Sequence, residues 1–229
     1  IKNEIIKKLY KMKIHKEGRK AIFYGTFTAI IVVILSLFIL SGPNIFEIIL
    51  FGMIILAILL LIFFYRHPNR HKHLNKDALM IPADGKIVVC ERVFENVYFK
   101  KECMQVSIFM SVFNVHVNWV PASGTVVFKD HKDGDNYPAY NPKSSHLNER
   151  CSTVIRLEDG REIMVTQIAG LVARRVVNQV NVGDIVKQGD ELGIIKFGSR
   201  VDIHLPIDME IEVEMEQNVR AMKTILARL

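Results

Sequence analysis

Cysteine is scarce in this chain, with only Cys90, Cys103 and Cys151, widely spaced and without a CxxC pair. Such spacing argues against a zinc site and against a disulfide framework, and it fits a reduced, cytosolic compartment. Charge is absent altogether from two long stretches, Ala21 to Leu40 and Ile48 to Tyr65. A helix needs about 20 apolar residues to cross the hydrocarbon core of a bilayer. The first stretch has that length, and the second reaches it when Ile45 and Phe46 are counted and Glu47 sits near the interface. Two buried core helices are the alternative, but only Ser41-Gly42-Pro43-Asn44 separates the runs, which favours a transmembrane hairpin over 21–65. A cleaved signal peptide is not expected, because its apolar region spans ~7–15 residues and no small-residue cleavage site follows here. Lys and Arg are missing from the connecting loop, whereas Lys2, Lys7, Lys8, Lys11, Lys13, Lys16, Arg19 and Lys20 precede the hairpin. Arg66, Arg70, Lys72 and Lys76 follow it. Positive charge marks the inner side of a membrane, so both ends of the hairpin, and all that follows, are expected in the cytosol.

The formal net charge of +6 comes largely from these flanks and does not point to nucleic acid. Basic residues beside a bilayer are drawn instead to anionic headgroups. The segment Arg66 to Lys76 is polar, contains Pro68, and reads as an interfacial linker along the headgroups. His67, His71 and His73 have no Cys, Asp or Glu beside them, so no metal is assigned to them.

From Asp77 onward the composition changes to short, β-branched, alternating segments: Lys86 to Arg92, Gln105 to Phe109, Thr125 to Phe128, Thr153 to Leu157 and Glu162 to Ile168. Alternation of this kind predicts half-buried strands, and Asp159-Gly160 between the last two predicts a hairpin turn. Between Asn181 and Gly193 glycines recur every few residues among apolar pairs, a sign of tight turns between very short strands. This stretch looks like the turn-rich half of biotinyl- or lipoyl-type hybrid domains. The expected fold is mainly β: a hybrid, barrel-sandwich-like cytosolic domain over 77–229, large enough for its own core. A basic segment (1–20), the helical hairpin (21–65) and the linker (66–76) precede it. An amphipathic helix is expected only at the end, over Asn218 to Leu229.

Gly198-Ser199 lies in the run IIKFGSRVDIHLP, where a glycine within alternating apolar residues predicts a bend or a close approach of backbone. The next hydroxyl, Ser199, is placed to attack a peptide carbonyl. Three further segments accompany it: Pro82-Ala83-Asp84-Gly85-Lys86, Phe113-Asn114-Val115-His116-Val117-Asn118, and Ile168-Ala169-Gly170-Leu171-Val172-Ala173-Arg174-Arg175. Together, in this order, they resemble the short, bacterial and archaeal branch of the phosphatidylserine decarboxylase proenzymes, from Arg66 through Pro206.

The resemblance implies that Ser199 attacks the carbonyl of Gly198, that the chain divides into residues 1–198 and 199–229, and that Ser199 becomes a pyruvoyl cofactor. That group then forms a Schiff base with the amine of phosphatidylserine and draws off the electrons left by carbon dioxide, so that phosphatidylethanolamine results. It further implies a heterodimer of the two pieces, working at the cell membrane from its cytosolic face. His116, titrating near neutral pH, is the expected proton carrier, and Asp84 is expected to orient a histidine and stabilise its cation. The longer bacterial branch has a second histidine where this chain has Trp119, so either His116 serves both cleavage and decarboxylation or another group activates the serine. Arg174 and Arg175 suit a phosphodiester or carboxylate, since guanidinium groups bind such anions bidentately. Neighbours on a strand face opposite ways, so at most one of the two is expected in a given pocket. Two rivals remain: a membrane-anchored adaptor without enzymatic activity, and a lipoyl or biotin carrier, which lacks a suitable lysine in the glycine-rich turn.

Overall fold

A computed structural model describes residues 13–39, 45–68, 70, 74–134, 147–170, 175–196 and 199–229. The chain divides into two compact units, residues 1–69 and 70–229.

In the first unit, helices α1 (Lys16–Ile39) and α2 (Ile45–Phe64) are apolar on all sides and leave most of their large side chains uncovered. Phe23, Phe27, Phe46 and Met53 are all more than half exposed. Each helix is long and apolar enough to cross a membrane, and in water such surfaces would be covered. Beside them β1 (Lys13–Ile14) pairs antiparallel with β2 (Arg66–His67), and the rings of His15 and His67 stack with centroids 5.8 Å apart. Arg66 and His67, the first residues of the expected linker, are thus held in a short strand.

The second unit is mainly β. Its strands are β3 (Ala78–Met80), β4 (Gly85–Glu95), β5 (Lys101–Met110), β6 (Val117–Trp119), β7 (Gly124–Lys132), β8 (Arg150–Leu157), β9 (Glu162–Ala169), β10 (Val176–Asn178), β11 (Ile185–Val186), β12 (Glu191–Ile195), β13 (Ser199–Leu205), β14 (Asn218–Val219) and β15 (Ile225–Arg228). The order β11-β7-β8-β9-β13-β5-β4-β14 makes one curled, half-barrel sheet. A smaller sheet runs β10-β12-β6, and β15 pairs with β3. The β8–β9 hairpin closes at Gly160, whose φ of +87° is the left-handed shape the Asp-Gly signal requires.

Alternation assigns the core directly. Val201, Ile203 and Leu205 of β13 point the same way as Val106 and Ile108 of β5 and Val165 of β9, and all are fully buried in one apolar cluster. The other face of the same strands carries Arg200, Asp202 and His204.

The expected terminal helix is absent: residues 218–229 form β14, a turn and β15. Thr224 closes that turn by accepting from the Arg220 amide at its Oγ1 (3.1 Å) and donating its own amide to the Arg220 carbonyl. Met222 adopts φ +57° there, which ends any helical run. Pairing of β15 with β3 buries Leu226 and Ala227, and tertiary pairing overrides local helix preference.

Candidate active site

Strand β13 lies between β5 and β9, and its first residue, Ser199, pairs with Met110 on one side and Ala169 on the other. Ser199 and His116 are both fully buried. Ser199 Oγ stands 3.2 Å from His116 Nδ1 and 3.3 Å from Met110 Sδ. An imidazole nitrogen is the stronger acceptor of the two, since a thioether accepts only weakly.

The ring's orientation follows from its other nitrogen. His116 Nε2 lies 3.1 Å from the carbonyl oxygen of Ser111, an acceptor only, so Nε2 carries the hydrogen. Nδ1 then presents a lone pair toward the hydroxyl of Ser199, the arrangement a general base needs. The turn that supplies this carbonyl is closed on itself. Asn114 Oδ1 accepts from the amide (2.9 Å) and hydroxyl (2.8 Å) of Ser111, and the Asn114 amide donates to the Ser111 carbonyl at 2.9 Å. Sequence reasoning passed over Ser111 and gave Asn114 no role of its own; their spacing, a serine three residues before an asparagine, is the local signal of such a turn.

Below the pair runs a buried amide chain. Asn118 Nδ2 donates to Met110 Sδ (3.6 Å) and its Oδ1 accepts from Gln167 Nε2 (2.8 Å). Asn178 Nδ2 donates to Gln167 Oε1 and to Thr153 Oγ1, both at 3.0 Å. Met110 thus links Ser199 to a chain that fixes β6, β8, β9 and β10 together.

Asp84 has partners other than the expected histidine. Its Oδ2 accepts from an Arg70 guanidinium nitrogen at 2.6 Å and its Oδ1 from the Ala221 amide at 2.8 Å. A buried carboxylate must be paired, and both oxygens are taken by these two donors. The Arg70 guanidinium also lies 5.7 Å from the ring centroid of Trp119. Arg70 is therefore a buried part of this unit and not, as its place in Arg66 to Lys76 suggests, a headgroup-facing residue. Gly85 secures the neighbouring turn: a Cβ there would lie 2.2 Å from the Phe109 carbonyl oxygen, so any side chain would push β4 off β5.

Arg175 is exposed just before β10, and its carbonyl accepts the amide of Lys196 at 3.2 Å. Gly198 and Arg174 lie outside the described residues, as do His71 and His73.

A buried serine hydroxyl facing an oriented imidazole, on a central strand of a mainly β unit, has the geometry of a hydroxyl paired with a neighbouring base. The sequence profile of the family described as phosphatidylserine decarboxylase matches residues 58–227. A phosphatidylserine decarboxylase proenzyme of Porphyromonas gingivalis is 45% identical over 220 residues, covering 95% of this chain and 99% of that protein. Proteins of the same name from Amoebophilus asiaticus and Bacteroides fragilis are 41% and 40% identical over 221 and 225 residues. The Amoebophilus alignment covers 95% of this chain and 97% of its relative, and the Bacteroides alignment 98% of each. The chain belongs to the phosphatidylserine decarboxylase family, a family of carboxy-lyases. That membership sets aside the adaptor reading.

Proposed function

We propose that this chain is a self-processing decarboxylase of phosphatidylserine, converting it to phosphatidylethanolamine and carbon dioxide after cutting itself between Gly198 and Ser199. The observation that carries the processing step is the 3.2 Å approach of Ser199 Oγ to His116 Nδ1, with Nε2 tied to the Ser111 carbonyl. As Nδ1 takes the hydroxyl proton, Oγ bonds to the Gly198 carbonyl carbon. The carbon–nitrogen bond breaks, and the proton passes to the freed amine, leaving an ester. Loss of the proton on the α-carbon of residue 199 expels the Gly198 carboxylate and leaves a dehydroalanine. Water converts its enamine to a ketone with release of ammonia, giving a pyruvoyl group at residue 199.

The surrounding residues suit that group: a buried position beside one imidazole and one thioether, with no carboxylate in contact with Ser199 among the described residues. The pyruvoyl group supplies an electrophilic ketone conjugated with an amide carbonyl, which accepts the substrate amine and the electrons left by carbon dioxide. His116 Nδ1, the ring atom facing residue 199, then delivers the proton that replaces the carboxylate, so one histidine serves both steps. One of Arg174 and Arg175 binds the phosphate or carboxylate of the substrate. Asp84 acts as a positioning residue, through Arg70 and the Ala221 amide.

The two pieces remain together after cleavage because strands β13, β14 and β15 of residues 199–229 pair with β5 and β9, β4 and β3 of the larger piece. The helices α1 and α2 anchor the enzyme in the membrane, and the distribution of Lys and Arg supports a catalytic unit on the cytosolic face. Intact mass under denaturing conditions tests the processing. The wild-type chain should separate into residues 1–198 and 199–229, the smaller with a pyruvoyl terminus that blocks Edman degradation. Ser199→Ala should remain whole and release no carbon dioxide, and an active, uncleaved Ser199→Ala protein would overturn the proposal.

A further inference from the structure

We propose that the turn Val112-Phe113 is the surface by which the catalytic unit docks on an anionic phospholipid bilayer, holding the Ser199–His116 site against the lipid. This rests on phosphatidylserine as the substrate. Val112 is 46% exposed, Phe113 68% and Leu147 42%. The turn is the one whose Ser111 carbonyl orients His116, so its apolar tip stands at the edge of the site and is held stiffly by Asn114. Leu147 adjoins Asn148, whose Nδ2 donates at 2.7 Å to the carbonyl of Ala169, the cross-strand partner of Ser199.

Two cations share this end of the molecule. The Ile195 amide donates to the His116 carbonyl at 3.2 Å, and the next amide, of Lys196, donates to the Arg175 carbonyl at 3.2 Å. The nearby carboxylate of Glu149 is engaged by the Val176 amide at 2.9 Å and by His131 Nε2 at 3.4 Å. Exposed apolar side chains with the exposed Arg175 at the same end of the unit match the two layers of an anionic bilayer, acyl chains beneath and charged headgroups above.

Several other exposed apolar side chains of this unit have acidic neighbours, whereas Leu74 and Leu229 lie near Lys76 and Arg228. Met215 stands between Glu214 and Glu216, Ile207 precedes Asp208, and Asp184 separates Val182 from Ile185. Acidic places repel an anionic surface, and among the exposed apolar side chains without an acidic neighbour Val112 and Phe113 belong to the turn that orients His116.

Two variants of the full chain test the surface. The first, Val112→Ser with Phe113→Ser, is reconstituted in vesicles of phosphatidylcholine and phosphatidylglycerol containing long-chain phosphatidylserine, and is compared on short-chain phosphatidylserine dissolved in water. Self-cleavage and turnover of the soluble substrate should stay within about twofold of wild type. Turnover of the bilayer substrate should fall by about 10- to 100-fold, the range expected when an aromatic and an aliphatic side chain lose their burial. Equal losses on both substrates, or no loss in the bilayer, would overturn the proposal. The second variant, Phe113→Trp, adds an indole to a chain whose one tryptophan, Trp119, is buried. Its fluorescence should be quenched by phospholipids brominated on their acyl chains well beyond the quenching of wild type, and quenching equal to wild type would also overturn it. The fluorescence arm needs no turnover, so a wild-type protein that neither cleaves nor decarboxylates would refute the enzymatic reading while docking is still read independently.

Discussion

The two faces of β13 are equally buried and chemically opposite. On one face Ser199 begins a row completed by Val201, Ile203 and Leu205, and its hydroxyl meets one imidazole and one sulfur. On the other, Arg200 and Asp202 form a bidentate ion pair, Nε to Oδ1 at 2.5 Å and a terminal nitrogen to Oδ2 at 2.8 Å, joined by Gln105 at 3.4 Å. His204 completes that row, 9% exposed, and its Nδ1 has no hydrogen-bond partner among the described residues. A charge beside Ser199 would perturb a nucleophile that must be neutral until its proton leaves. Placing the charges on the reverse face keeps the strand anchored while the reactive face stays apolar.

The comparison breaks first at His116. His116→Ala should accumulate as intact proenzyme, because it removes the acceptor at 3.2 Å from Ser199 Oγ. Whatever fraction cleaves should decarboxylate about 10²–10⁴-fold more slowly, the usual loss for a general acid. Time courses of cleavage by mass, followed by carbon dioxide release, read the two effects separately. Normal cleavage in this variant would deny His116 its double role.

On the charged face, Arg200→Met leaves the buried Asp202 carboxylate without its main counter-ion and should cost about 3–5 kcal/mol in urea unfolding. Pairing it with Asp202→Leu should restore most of that loss, since apolar replacement of a whole buried pair is often neutral. A similar penalty in the double variant would mean that the pair does more than neutralise itself.

Asp84→Asn sharpens the contrast, as this carboxylate serves the site from outside either face. It keeps an oxygen for the Ala221 amide but removes the charge facing Arg70, and should lower stability by about 1.5–3 kcal/mol. Cleavage should slow, and a second change, Arg70→Met, should recover stability if Asp84 acts through Arg70. A stability unaffected by Arg70→Met in that background would reject this assignment.

The smallest effect belongs to His204. Burial disfavours its cation and holds its pKa below the ordinary histidine value, partly offset by Asp202 and Glu95. The unfolded chain therefore binds a proton more readily than the folded one once pH falls below the normal histidine range. Stability is fully present above that range and declines as pH drops toward the folded pKa, by at most about 1.4 kcal/mol per pH unit. Thermal unfolding of wild type and His204→Gln across mildly acidic pH should show a shallower decline in the variant. Parallel curves would show that another group carries the slope.

Much of this molecule was legible in local pattern. The two uncharged runs became α1 and α2, and each alternating segment named in advance lies within a strand. The Asp-Gly turn closed β8 onto β9 through Gly160 at positive φ. Motif resemblance alone also reached the family, and it singled out Ser199 and His116, which the fold brings within 3.2 Å of each other. The terminal segment failed because its helical spacing was outweighed by pairing with β3 and β4. Arg70 reads in sequence as one more basic residue after a membrane span, and only the fold reveals its buried partner Asp84.

What the sequence by itself determined were properties that depend on neighbours along the chain: where charge is absent, where side chains alternate, where a turn needs glycine. Only the tertiary structure decided which distant groups meet. Ser199 and His116 are 83 residues apart, Asp84 and the Ala221 amide 137, and Arg70 reaches Asp84 across 14. Strand order and register bring these groups together, and register is set by burying one face of each strand in a shared core, a condition no single segment contains.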